Sequence, residues 1–514
     1  MLLSLENAPY IVVGLALAYF LGPYFQRWRL HDIPSPSFAA FTNFWLLLQT
    51  RQGKRFLSVD AAHKKYGKLV RISPKQVSIA DDAAVPLIYG HGNGFLKADF
   101  YDAFVSIRRG LFNTRDRIEH TRKRKTVSHT FSAKSIGQFE QYIHHNIEEF
   151  VKQWTKLAEL QGNPKTGYAS LDALNWFNYL AFDIIGDLAF GAPFGMLEKG
   201  KDIAEVRKNP NDPPKYVAAV EVLNRRGEVS ATLGCMPSLI PFAKYIPDRF
   251  FSEGLQAVSD LAGIAIARVS ERTKPEVMAN NTRVDLLARL MEGKDHTGNP
   301  LGREELTAEA LTQLIAGSDT TSNTACAILY WCQRTPGVIE KLHKTLDEAI
   351  PKDIEVPTHA MVKDIDYLQW VIWETMRIHS TSAMGLPREI PAGAPPVEIC
   401  GHIFGPGDVL SVPTYTVHRS KEIWGPDAEE FVPERWSPDR LTPRQKAAFI
   451  PFSHGPRACV GRNVAEMELL VMGATVFRLF EFQIEQKGPM ETREGFLRKP
   501  LGLDVGMRRR TNRN

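Results

Sequence analysis

The rhythm of hydrophobic and polar positions changes several times along this chain. Ala8 to Phe25 carries no charged side chain and is rich in Leu, Val, Ala and Tyr. A helix of that length spans about 27 Å, enough for the hydrocarbon core of a bilayer. Arg27 and Arg29 follow at once, whereas only Glu6 precedes. Positive charge on that flank predicts that the rest of the chain stays cytoplasmic. A cleaved signal peptide is the alternative, but such a peptide begins with basic residues and this segment does not. Pro34-Ser35-Pro36 then reads as a stiff hinge. The expected division is an anchor over 1–29, a hinge over 30–40 and a body over 41–514.

Within the body, Leu69-Val70-Arg71-Ile72-Ser73 and Gln76-Val77-Ser78-Ile79-Ala80, split by Pro74-Lys75, predict a small antiparallel hairpin. Helical patterns cover Gln138 to Trp154, Ala257 to Thr273, Glu304 to Arg334 and Leu368 to Ile378, and short strands are expected at Val409 to Val412 and Phe482 to Gln486. No repeat, low-complexity tract or long linker divides the body. The expectation is one domain, mainly α with small peripheral β-sheets, able to hold a large cofactor between helices.

Composition adds limits. With 44% hydrophobic and 24% charged residues in 514, the chain is globular rather than disordered. A net charge of +5 gives no argument for nucleic-acid binding. Basic runs at Arg122-Lys123-Arg124-Lys125 and Arg508-Arg509-Arg510 are solvated faces unless another feature gives them a purpose. Five scattered cysteines without metal-ligand spacing fit a reducing compartment.

Four constellations carry candidate chemistry. In Phe452-Ser453-His454-Gly455-Pro456-Arg457-Ala458-Cys459-Val460-Gly461, one cysteine sits between two glycines, with an arginine two residues before it. Gly455 and Gly461 would let backbone turn tightly and approach a flat cofactor, and Arg457 can pair with a carboxylate. Ala316-Gly317-Ser318-Asp319-Thr320-Thr321 lies in the middle of the long apolar helical pattern. Gly317 costs about 1 kcal/mol there, and a small residue would make room for a ligand, while Asp319 beside Thr320 could relay protons. A helix kinked for packing is the alternative. Glu374 and Arg377 share one helix face in a stretch too apolar to be exposed, so a buried pair needs more partners, with Arg435 the candidate third member. His120 and Arg124, four residues apart, aim at one target.

Together these stretches resemble cytochrome P450 monooxygenases, over essentially the whole chain. The resemblance implies the P450 fold, haem b with an axial Cys459 thiolate, a haem-binding loop including Phe452, Gly455, Arg457 and Gly461, and propionate partners at His120, Arg124 and Arg388. It also implies an oxygen-activating helix with Asp319 and Thr320, and a structural Glu374–Arg377–Arg435 triad. Arg122, Lys123 and Lys125 would face an acidic redox partner, though solvated helix surface is an equal reading. Stretches such as Gly385-Leu386-Pro387-Arg388-Glu389 and Ala173-Leu174-Asn175-Trp176-Phe177-Asn178-Tyr179 resemble the filamentous-fungal benzoate para-hydroxylases. That likeness implies benzoate and dioxygen as substrates and NADPH–cytochrome P450 reductase as electron donor. It further implies a monomer on the endoplasmic reticulum membrane with its body cytoplasmic.

A flat anionic substrate needs aromatic walls and a carboxylate anchor. Phe100, Tyr101, Phe104 and Phe112 are candidate walls; Arg108 and Arg109 are candidate anchors, with solvated or propionate-facing arginines an equal reading, and Ser380, Thr381 and Ser382 are further donors. The alternatives are a haem-thiolate enzyme needing no reductase, a haem-binding sensor or carrier, and a relative that hydroxylates or demethylates another small aromatic.

Overall fold

The computed structural model describes residues 8–279, 283 and 285–511; Glu6 lies outside them. Helices dominate and the sheets are small, as the periodicity predicts. Nine helices matter below: α1 (Ala8–Gln26), α2 (Arg117–Ser128), α3 (Glu140–Gln161), α4 (Ala173–Phe190), α5 (Ala219–Gly234), α6 (Arg249–Arg272), α7 (Arg303–Arg334), α8 (Asp366–Ile378) and α9 (Arg462–Leu479). Apolar side chains of α3, α4, α7 and α9 meet in one core that includes Phe150, Phe182, Leu314 and Leu469.

The long helix α7 crosses the middle of the body. Glu304 and Glu305 in its first turn and Arg334 in its last complement the helix dipole. Gly317 does not serve the purpose expected of it. A Cβ at that position would come within 2.6 Å of Ile185, so the glycine lets α4 pack against α7 rather than making room for a ligand. Helix α4 itself escapes a periodicity reading because it is apolar nearly all round, as a helix covered on every side must be.

Strands β1 (Leu69–Arg71), β2 (Gln76–Ile79), β3 (Leu96–Lys97), β4 (Arg388–Glu389) and β5 (Val409–Ser411) form a sheet in the order β1-β2-β5-β4-β3. The predicted hairpin is β1–β2, with Val70 opposite Ser78. At the other edge Lys97 stands directly opposite Arg388. Like charges in register destabilise a sheet, so this pairing asks for an anion. Near the C-terminus β6 (Phe480–Ile484) precedes a hairpin of β7 (Thr492–Glu494) and β8 (Arg498–Pro500).

Among the described residues α1 is the one helix long and apolar enough to cross a membrane, and none of its apolar window is buried. The segment after it is tied to the body at several points. Arg29 makes a bidentate bond to Asp408 at 2.7 and 2.8 Å, Leu30 and Ile33 join the core beside the sheet, and Arg71 N donates to Pro34 O.

Candidate functional site

The Cys459 loop enters α9 through a short 3-10 turn, Gly455–Arg457. Cys459 N donates to Phe452 O at 2.9 Å and Ala458 N to Gly455 O at 3.0 Å, closing the loop on itself. Gly455 has φ of +70°, and a Cβ there would stand 1.9 Å from Tyr89 O. Its glycine is therefore required by the turn and by neighbouring backbone. Gly461 has ordinary backbone, φ −83°, and a Cβ on it would meet no atom within 4 Å. Cys235, Cys326 and Cys332 are buried, and Cys400 lies at the surface beside Asp81. Cys459 differs from all four. Its side chain is accessible, yet enclosure by the chain is the largest influence on it and raises its pKa, opposed by the Gly461 N–H and by Arg124 and Arg462. An accessible thiol with Arg124 and Arg462 nearby is a donor open to a ligand.

Around it the chain gathers cations. Arg124 Nη1 donates to Ala458 O at 2.5 Å. Arg457 donates to Thr114 O and Arg115 O at 2.6 and 3.0 Å. Arg388 reaches Tyr101 Oη and Pro387 O, both at 3.2 Å, and Lys97 reaches Phe112 O. None of these four has a carboxylate ion pair among the described residues. Burial and then Arg388 hold the Arg457 pKa down at about 10; burial, then Arg388, Arg457 and Arg124, press Lys97 well below its ordinary value. His120, buried among them, is pushed down to about 3 by burial and then by Arg457, so it is neutral. Four cations, two of them buried and two partly so, with carbonyls and one phenol hydroxyl as partners and no carboxylate, stand beside an accessible thiol; they fit a dianionic, metal-bearing ligand, a haem with two propionates.

Residues 34–507 match the family described as cytochrome P450. The chain belongs to the cytochrome P450 family. It is 80% identical to a benzoate 4-monooxygenase of Aspergillus niger, over 99% of each chain. A cytochrome P450 monooxygenase of Aspergillus terreus is 31% identical, over 92% of this chain and 94% of its own. One of Penicillium roqueforti is 28% identical over the same shares. The protein is accordingly a haem-thiolate monooxygenase, and the donor set above suits that cofactor.

On α7, the Thr320 hydroxyl donates to Ala316 O at 2.7 Å, and Ala316 is accessible although the helix lies inside the body. Asp319 is buried and accepts from Lys499 Nζ of β8 at 2.8 Å. Acid and hydroxyl are thus adjacent in sequence but separately engaged. The next residue, Thr321, donates to Glu468 of α9 at 2.9 Å, and burial lifts that carboxyl to about 7.

Glu374 and Arg377 are fully buried on α8 and bond in parallel, Nε to Oε2 and Nη2 to Oε1, both at 2.8 Å. Arg435 Nε lies 3.4 Å from Oε1. Trp436 Nε1 and Val432 N add further donors at 3.0 and 2.9 Å.

Several expectations need correction. Arg108 is exposed and faces Glu305, and Arg109 is exposed and bonds Asp102 at 2.8 Å, so neither is a buried anchor. Ser380 is fully buried and spent on Met376 O and His418 Nδ1, at 2.8 and 2.7 Å. Thr381 sits 3.3 Å from Thr324 on α7. Lys123 is buried between Glu305 and Glu309, at 2.6 and 2.8 Å, and Arg122 is paired with Glu119 and Glu305; of that run only Lys125 stays exposed. The aromatic candidates do cluster. Phe104 contacts Phe100 and Phe112 with centroids 5.3 and 5.8 Å apart, and Tyr101 lies 5.5 Å from Phe112.

Lys97, Lys499, Phe496 and Arg226 were not singled out from sequence. Phe496, in the turn between β7 and β8, completes the aromatic group at 5.1 Å from Phe104 and 5.0 Å from Phe112. Arg226 falls on the buried stripe of α5 with Ala219, Leu223 and Ser230. A charged residue at helical spacing among such positions is the signal that could have found it.

Proposed function

We propose that this chain hydroxylates benzoate at the carbon para to the carboxylate: benzoate, dioxygen, NADPH and a proton give 4-hydroxybenzoate, water and NADP⁺. The observation that carries the reading is the 80% identity to the Aspergillus niger benzoate 4-monooxygenase across nearly all of both chains. Electrons come from NADPH–cytochrome P450 reductase. The protein is a monomer held by α1 in the endoplasmic reticulum membrane, with 1–29 as anchor, 30–40 as connector and 41–514 as the catalytic domain on the cytoplasmic side.

Cys459 is the thiolate ligand, and Lys97, Arg124, Arg388 and Arg457 receive the propionates, with neutral His120 available as a hydrogen-bond donor. A thiolate-bound haem supplies O–O cleavage and oxygen transfer to the ring. Thr320 holds a proton at Oγ on the accessible side of α7 and must release Ala316 O to donate elsewhere. Asp319 and Lys499 form the branch through which that proton is replaced from solvent. The rings of Tyr101, Phe104, Phe112 and Phe496 exclude water from a flat substrate. Lys125, exposed beside Arg124, steers an acidic donor toward the Cys459 loop.

The test is reconstitution of the haem-loaded full chain with reductase, NADPH and benzoate. Expected is 4-hydroxybenzoate as the product, with a benzoate-induced change in haem spin state. No spin change, or hydroxylation at another carbon, would refute the substrate assignment.

A further inference from the structure

Arg226 has no role in anything described so far, yet it is among the least satisfied charges in the body. It is 5% exposed, on a buried helix face shared with Ala219, Leu223, Val229 and Ser230. Its Nη2 donates to Phe104 O at 2.9 Å, and its Nε is buried without a partner. No carboxylate ion-pairs with it among the described residues. Arg55 and Arg498 are also buried without an ion pair among the described residues, but Glu494 lies near enough to act on both, whereas no acid acts on Arg226. Other buried arginines have closer partners. Arg272 has Asp285 at 3.1 Å, Arg377 has Glu374, Arg435 has Asp427 at 3.0 Å, and Arg71 is met by the carbonyls of Leu30 and Pro74. Burial alone lowers the Arg226 pKa, to about 10, so it stays charged near neutrality. Natural proteins rarely leave a guanidinium desolvated without an anion.

What surrounds it suggests the missing anion. The guanidinium lies 5.2 Å from the Phe104 ring centre. Phe104 leads into Phe112 and Phe496, both only partly buried and therefore open on one side. At the other end of this group Lys97 Nζ sits 4.4 Å from the Phe112 centre and belongs to the propionate cluster. The row of rings thus has a cation at either end, Arg226 at Phe104 and Lys97 at Phe112, and Lys97 is the end that would face haem carboxylates.

We propose that Arg226 is the carboxylate anchor of the substrate site, binding an aromatic monocarboxylate at the Phe104 end of a cage whose other end is Lys97. This inference rests on benzoate being the substrate. Its consequence is regiochemical. The para carbon is the ring position farthest from the carboxylate, so a carboxylate fixed at one end presents that carbon first to an oxidant at the other. Selectivity then follows from the anchor and the length of the cage.

The test uses the haem-loaded full chain and titrates benzoate and its neutral analogue benzamide against the haem spin-state spectrum, in wild type, Arg226→Met and Arg226→Lys. Loss of one partner of a buried charge pair predicts benzoate binding weaker by about 30-fold or more in Arg226→Met. Benzamide binding should move by less than about threefold in the same variant. Arg226→Lys should fall between, since it keeps the charge and loses the two-pronged geometry. Benzoate binding in Arg226→Met within about threefold of wild type would overturn the assignment while leaving the substrate intact. A wild type that does not respond to benzoate would sink the substrate reading and this one with it. Should Arg226→Met not retain its thiolate-haem spectrum, wild type decides: equal affinity for benzamide and benzoate overturns the anchor.

Discussion

Removing the Glu374 carboxylate should reveal how unequally its partners depend on it. Arg377 directs Nε and Nη2 at that carboxylate, and its remaining bonds go to the carbonyls of His418, Ala428 and Glu430. No second acid takes its charge among the described residues. Arg435 is different: beside Glu374 it holds Asp427 Oδ1 at 3.0 Å and the carbonyls of Trp424 and Asp427. In Glu374→Gln, Arg377 therefore becomes a fully buried, uncompensated cation, a situation that costs about 3–5 kcal/mol. Adding the lost bonds to Arg435, Trp436 and Val432 separately would count the same carboxylate several times, so that range is the whole expected loss. Against a total stability of about 5–15 kcal/mol it is large. Removing the orphan as well, in Glu374→Gln/Arg377→Met, should recover about 1–3 kcal/mol, because residues of one buried network are not additive. Urea titration of the haem-loaded full chain, followed by the thiolate-haem spectrum and by circular dichroism, measures both differences. A double variant as unstable as the sum of its single changes would refute the unpaired-cation argument, as would a Glu374→Gln loss below about 1 kcal/mol.

Other outcomes follow from the same geometry. Thr320→Ala should leave NADPH consumption running while 4-hydroxybenzoate per NADPH falls several-fold; unchanged coupling removes that hydroxyl from proton delivery. Lys499→Met should lower coupling without weakening benzoate binding in the spin-state titration, since it strips the partner from Asp319 but lies outside the aromatic cage; weaker benzoate binding would instead place Lys499 in the substrate site. Glu468, lifted to about 7 by burial, binds a proton in the folded state that the unfolded chain releases near pH 4.5. Stability from that proton is full below about pH 4.5 and is lost as pH rises to about 7, a difference of about 3 kcal/mol. Glu468→Gln should then match wild type at pH 4.5 and exceed it at pH 8; equal thermal midpoints at both pH values would contradict the burial of an ionisable carboxyl there.

What sequence could disclose about this protein depended on contiguity. The Cys459 loop, the Asp319–Thr320 pair and the Glu374–Arg377 spacing are short strings, and each string folds as a unit, so their neighbourhoods were legible. The mainly helical body was legible because most helices carry a one-sided apolar stripe. Charge pairing was not. Arg108, Arg109, Arg122 and Lys123 are basic residues in promising stretches, and folding gives each an acid: Glu305, Asp102, Glu119 or Glu309. Lys97 and Arg226 sit in unremarkable stretches, and folding gives them none. For Arg108 and Lys123 the deciding acids come from the distant helix α7, while Arg109 and Arg122 also have acids close by in sequence, at Asp102 and Glu119. Gly317 fails for the same reason: its meaning is Ile185 of another helix. A cation that folding has buried costs several kcal/mol unless something answers it, and where the chain supplies no acid the answer must come from a ligand. In this body Lys97 and Arg388 beside Cys459 meet that criterion, and so, separately, does Arg226, on which burial alone acts. Haem propionates would answer the first group, and the proposed anchor at Arg226 would answer the second with the substrate's own charge.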